Sequence, residues 1–192
     1  MSIYKLIIGA LWLVLMAVWL VSAMGAKKSA GRTPRTQAVF LRVAVLACFL
    51  VLWRSHLLVF LFGRPGEHLA QFSPAAVRAL GVALCAIGVG LAIWARMRLG
   101  RNWGAPMSLR QGHELVTDGP YAFVRHPIYT GAIFAMLGSA LAADPRWLVL
   151  VALFGAYFIY SARAEEQLMS QQFPDRYPTY KRRTKMLIPF VL

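Results

Sequence analysis

Two short stretches of this chain gather side chains that can do chemistry. The first, GPYAFVRHPIYTG from Gly119 to Gly131, packs Arg125, His126, two prolines, two tyrosines and two glycines between hydrophobic runs. Lipid-facing helix interiors rarely hold such a mixture, because unpaired polar groups and missing backbone donors are costly there. The stretch therefore reads as a folded loop at the membrane surface, ordered by Pro120 and Pro127 and ending in a helix near Ile128. A basic turn with aromatic interface anchors is the plainer alternative. The second is the pair Glu165-Glu166, conspicuous in a chain with only seven acids. These carboxylates suit either a site or simple pairing with Arg163 or Arg176. Arg125 suits a bidentate carboxylate contact, or a pair with Asp118 or a lipid phosphate.

The elements that must position these residues are hydrophobic helices. At 192 residues and 59% hydrophobic content, the chain is one domain, richer in apolar residues than a soluble domain of this size. We divide it into an N-terminal half, 1–96, with three helices, and a C-terminal half, 97–192. Ile3 to Ala23 is long enough to span, and longer than the apolar core of a cleaved signal peptide. A second span covers about Ala38 to Phe62 and carries Arg42, Arg54 and His56. The latter two suit an interhelical hydrogen bond or contact with an acidic group. A third starts after Ser73 as cap and Pro74 in its first turn and runs to about Arg96. Its Gly81, Gly88 and Gly90 would let a neighbouring helix approach closely. Residues 97–127 are too polar to span. The runs Ile128 to Ala143 and Trp147 to Tyr160, split by Asp144-Pro145-Arg146, form a tight helical hairpin whose second helix continues past Glu166. Cys48 and Cys85 fall in hydrophobic runs and give no metal or disulfide pattern.

The net charge of +14 does not indicate nucleic acid, because it is segregated. Lys27, Lys28, Arg32 and Arg35 follow the first span; Arg96, Arg98, Arg101, Arg110 and Arg125 follow the third. Arg163, Arg176, Lys181, Arg182, Arg183 and Lys185 follow the last. With five spans and the N-terminus outside, all of these lie on the cytosolic face, as the positive-inside rule requires. The short chain and sparse loops point to a bacterial inner membrane rather than the endoplasmic reticulum.

The order GHELV, GPYxxxRHPxY, hydrophobic hairpin, EExxLxxxFxxxYxxY, over about residues 94 to 190, resembles the isoprenylcysteine carboxyl methyltransferase family. That family groups with the phospholipid methyltransferases. The resemblance implies an all-α integral membrane enzyme of about five transmembrane helices, the last two a short hairpin, with a cytosolic cofactor loop and a C-terminal helix. It implies S-adenosylmethionine as donor, S-adenosylhomocysteine as product, and a lipophilic or small acceptor reached from the bilayer. Residues matching family cofactor contacts are His113, Glu114, Leu115, Val116, Tyr121, His126, Pro127, Ile128, Tyr129 and Glu165, with Glu166 as a substitute one position on. Tyr129, Arg125 and Arg163 are the candidates nearest the chemistry. Physically, tyrosine faces can stabilise a sulfonium, and a loop offers backbone groups that a helix has already used.

This chain departs from the pattern in three places. Ser161 stands where the prenylcysteine enzymes carry a substrate arginine, with Arg163 as a stand-in on another helix face. Ala132 replaces an aromatic residue, and Pro174 a glycine. The acceptor thus stays open between a carboxylate, an amine and a thiol. Two other classes compete: a membrane reductase using NADPH, which shares a related RHP motif, and a non-enzymatic scaffold or transporter.

Overall fold

The computed structural model describes residues 2–23, 74–103, 114–145 and 147–188. The expected second span with Arg42, Arg54 and His56, the linkers beside it, Ser73 and His113 lie outside the described residues.

Helix α1, Ile3–Ala23, matches its expected bounds. At about 1.5 Å per residue it is about 31 Å long, the thickness of a bilayer core. Much of its apolar surface faces outward, with Leu13, Leu20 and Val21 well exposed, as suits a lipid contact. Helix α2, Ala75–Leu99, starts directly after Pro74 and runs one turn beyond the expected end. Helix α3, Pro127–Ala142, and helix α4, Trp147–Gln172, form the expected hairpin around Asp144 and Pro145. Helix α5, Tyr177–Arg183, follows with a proline in its first turn. Three of these helices (α1, α2 and α4) are long and apolar enough to cross a membrane, and α3 is a shorter apolar helix. No extended ladder forms among the described residues beyond one isolated parallel bridge, Val124 to Lys185.

The centre of the bundle is the α2–α3 pair. Gly81, Cys85, Gly88 and Ala92 on α2 face Gly131, Ala135, Gly138 and Ala142 on α3, residues repeating at intervals of three and four on each helix. The backbones approach so closely that a methyl group on Gly131 would lie 2.6 Å from the Gly88 carbonyl oxygen, and one on Gly138 2.5 Å from that of Gly81. In an apolar solvent, such small-residue contact replaces the hydrophobic effect as the main source of helix association. Gly81 and Gly88 thus behave as the sequence indicates. Gly90 does not, because it faces open space. Helix α1 packs over this pair through Ile8 and Leu15. Trp12 donates its indole N–H to Ser139 Oγ at 3.0 Å and stacks on Trp147.

The polar ends of α1 and α2 are tied by Arg96, which is 2% exposed. Its guanidinium donates to the carbonyls of Ser22 at 2.6 Å and Gly100 at 2.8 Å and lies 4.5 Å from the Trp103 ring centroid. A cation among the last carbonyls of two helices complements both dipoles. At 26 residues and about 39 Å, α4 exceeds the bilayer core, so its last turns emerge with Glu165 and Glu166 at the same end.

Candidate active site

The motif loop is built by local chemistry. Gly119 takes a left-handed backbone, φ 58°, and Pro120 seeds a 3-10 turn, Gly119–Ala122. Tyr121 is buried there, its hydroxyl 3.4 Å from the Ala95 carbonyl on α2. Tyr180 from α5 donates to the Tyr121 carbonyl at 2.7 Å, and burial raises the Tyr180 pKa to about 12, so this donor keeps its proton. The chain then runs extended beside the C-terminal segment. Arg125 N–H donates to the Lys185 carbonyl at 2.8 Å, and His126 N–H to that of Met186 at 3.0 Å. Pro127 opens α3 at a position where no amide hydrogen is needed. Thr130 Oγ1 donates to the Leu187 carbonyl at 2.6 Å. The loop is therefore clasped between α2 and the tail.

This clasp delivers Arg125, His126 and Tyr129 to the emerging end of α4. Tyr129 donates its hydroxyl to Glu165 Oε1 at 2.6 Å, and His126 Nδ1 lies 3.3 Å from Glu165 Oε2. Arg125 Nε meets Glu166 Oε1 at 2.6 Å, and Lys181 Nζ meets Glu166 Oε2 at 2.7 Å. Glu166 is 4% exposed, whereas Glu165 is 24% exposed and opens toward solvent. Burial alone would lower the pKa of His126, but Glu165 and Glu166 outweigh it and raise the value above the ordinary range. The rings form a stack, His126 on Tyr129 at 5.6 Å and Tyr129 on Phe158 at 4.6 Å, nearly parallel. Tyr129 thus stacks with two rings while its hydroxyl is held by Glu165.

The other sequence candidates fall in different places. Pro127 and Ile128 belong to the first turn of α3. Glu114, Leu115 and Val116 belong to an irregular segment leading to the loop. Asp118 pairs with Arg98, not Arg125; Arg125 also donates to the carbonyls of Lys181 and Thr184. Arg163 is on the exposed side of α4, where it lines an open cleft of about 550 Å³ with Glu166, Gln167, Ser170 and Lys181. Neither Arg163 nor Arg176 is the partner of Glu166. Three residues escaped the sequence reading: Lys181, whose basic run resembles an ordinary headgroup contact; Phe158, one more aromatic in an apolar run; and Thr130. Only the position of Lys181 beside the YxxY motif could have pointed to it.

The comparisons follow from this geometry. A family model described as phospholipid methyltransferase matches residues 76–176, just over half the chain, from α2 through the motif loop to the end of α4. The chain belongs to the phospholipid methyltransferase family. It is 34% identical over 94 residues to the nickel-cobalt-cadmium resistance protein NccN of Alcaligenes xylosoxydans xylosoxydans, covering 47% of this chain and 44% of that one. It is 37% identical over 70 residues to methanethiol S-methyltransferase 1 of Bradyrhizobium diazoefficiens, covering 36% and 24%. The fold is similar to the solved eukaryotic intramembrane Ras methyltransferase, isoprenylcysteine carboxyl methyltransferase, with a TM-score of 0.56, 20% identity, and 84% of this chain and 55% of that one covered. The chain spans less than half the length of these curated relatives. Among the described residues no group of three or more His, Cys, Asp or Glu could hold a metal ion.

The residues present fit a sulfonium donor carrying an ammonium group. Three buried side-chain atoms make no hydrogen bond among the described residues, and two of them, His126 Nε2 and Ser161 Oγ, belong to the site elements. Together with the Glu165 carboxylate, 24% exposed, they supply donors, acceptors and a negative charge where the loop meets α4.

Proposed function

We propose that the chain is an S-adenosylmethionine-dependent methyltransferase, acting on a small or lipophilic acceptor at the cytosolic face of its membrane. The observation that carries this reading is the convergence of Tyr129 and His126 on Glu165 where α4 leaves the apolar layer. When bound, the cofactor supplies an electrophilic methyl group. In-line methyl transfer asks the protein mainly to bind, align and exclude water. Glu165 meets the methionyl ammonium, its orientation fixed by the Tyr129 hydroxyl and by His126. The backbone of Glu114, Leu115 and Val116, with the loop at Pro127 and Ile128, frames the remaining cofactor groups. Glu166 acts structurally, holding Arg125 and so the loop, and Tyr121 anchors the loop to α2. Arg163 faces the cleft and the headgroup layer.

The family match supports methyl transfer and gives no support to the reductase or scaffold readings. The relatives differ in the acceptors in their names, so they do not choose among a carboxylate, an amine and a thiol. Purified protein should be stabilised against heat by S-adenosylhomocysteine and not by NADPH, and membranes should incorporate labelled methyl groups only when Glu165 is intact. Stabilisation by NADPH alone would reverse this reading.

A further inference from the structure

Helix α4 has a second polar face, turned away from the one that meets Tyr129. With about 100° between successive residues on a helix, Phe158 and Glu165 share one side, where they contact Tyr129. Arg163, Gln167 and Gln171 fall on the opposite side and line the open cleft of about 550 Å³, with Lys181 of α5 and Met186 of the tail across from them. A cleft of this size suits a small ligand or a lipid head group.

Its charges point to an anion. Glu166, the acid among the described residues that line it, is already met from the loop by Arg125 Nε at 2.6 Å. Lys181 Nζ reaches the other carboxylate oxygen at 2.7 Å while its side chain stays 50% exposed. Arg163 stands exposed on the same cleft wall. One carboxylate thus serves two cations with a third beside them. Arg182, Arg183 and Lys185, all exposed, add to the surplus. Positive charge concentrated around a polar cleft attracts and holds anions.

The depth of the cleft says which anion. The apolar run of α4 ends at Tyr160, an exposed aromatic residue of the kind that sits at head-group level. Arg163 follows about 4.5 Å further along the axis, and Gln171 about 12 Å beyond that. The cleft therefore opens at the depth of lipid phosphates and extends toward the cytosol. On the apolar side of Arg163, the same side of α4 presents Val149, Leu153 and Tyr160, all exposed, as a strip for an acyl chain.

We propose that this cleft binds the head group of an anionic phospholipid as an effector, not as a methyl acceptor. The phosphodiester bridges Arg163 on α4 and Lys181 on α5, and the hydroxyls of a glycerol head group meet Gln167 and Gln171. Because α5 carries Tyr180 and leads into the tail that holds Arg125 and His126, the bridge firms the clasp on the motif loop. Such a lipid offers no carboxylate, amine or thiol to methylate. The inference goes beyond the methyltransferase reading and stands apart from it, since its readouts need no methyl donor.

The test adds dioleoyl phosphatidylglycerol, dioleoyl phosphatidylcholine or inorganic phosphate to the delipidated full chain in detergent. Phosphatidylglycerol should raise the melting temperature by about 3–6 °C at tenfold excess over its Kd, and the other two should not. Arg163→Gln should weaken phosphatidylglycerol binding about tenfold, as loss of a charge-assisted contact does. Arg183→Gln removes the same charge outside the cleft and should change binding less than about twofold. Lipid retained per chain, read by native mass spectrometry on folded protein only, keeps the comparison valid for a variant that melts early. Equal stabilisation by phosphatidylcholine, unaltered binding in Arg163→Gln, or equal weakening by Arg183→Gln would overturn the proposal. Inorganic phosphate acting as strongly as the lipid would put a soluble phosphate in the cleft and overturn the lipid assignment.

Discussion

Helix α3 is held in two different ways along its length. In the apolar layer it meets α2 through Gly131, Ala135 and Gly138, where the glycines bring the two backbones close together. At its polar end it meets α4 and the tail through Tyr129, His126 and Arg125, all on carboxylates. The first contact works by shape, which lipid does not compete with; the second works by charge and hydrogen bonding, for which water competes directly. That contrast explains why the rigid pair can serve as a frame while the site is built where the helices leave it. Among the described residues, α4 packs sparingly in the membrane and is held mainly by its polar end.

The largest effect should come from breaking the charged contact at its buried member. Glu166→Ala leaves the nearly buried Arg125 without its carboxylate, and removing one partner of a buried pair costs about 3–5 kcal/mol. A strong fall in melting temperature in detergent would show it, with Glu166→Gln falling less. Breaking the shape contact should come next. Gly138→Ala drives a methyl group into the backbone of Cys85 and should cost about 1–3 kcal/mol by overpacking. Gly90→Ala faces open space and should stay within about 0.5 kcal/mol of wild type. Equal melting temperatures for the two glycine variants would remove the shape argument.

Tyr129→Phe deletes a hydrogen bond to a charged group, worth about 1.5–3 kcal/mol, so it should lower the melting temperature and weaken S-adenosylhomocysteine binding about tenfold or more by titration calorimetry. The smallest effect concerns pH. The folded pKa of His126 is raised above its unfolded value of about 6.5, so its ion pairs stabilise fully below that pH and are lost as pH rises through the folded pKa. Melting temperature of wild type should therefore fall more than that of His126→Asn between mildly acid and alkaline buffer. Parallel curves would mean that His126 is not charged in the folded protein.

Much of this was legible in the residues. The loop between Gly119 and Gly131 declared itself by holding polar and helix-breaking residues where lipid would not tolerate them. Glu165 and Glu166 declared themselves by scarcity, and Gly81 and Gly88 by helical spacing. The face each side chain takes was not legible. Gly90 and Gly88 differ by two residues, which puts them on different sides of one helix, and only packing decides which meets α3. The choice of Glu166 as Arg125's partner depends on the tail crossing the loop, a contact between residues about sixty apart. Lys181 stayed hidden because a basic run beside a membrane is expected whether or not one member turns inward.

The central claim is that Glu165, fixed by Tyr129 and His126, grips the cofactor. Titrating S-adenosylhomocysteine into detergent-purified wild type and Glu165→Gln tests it most directly. The account predicts saturable binding to wild type and a loss of about tenfold or more in the variant, the cost of removing a charged partner. Binding of equal strength to both proteins would contradict it.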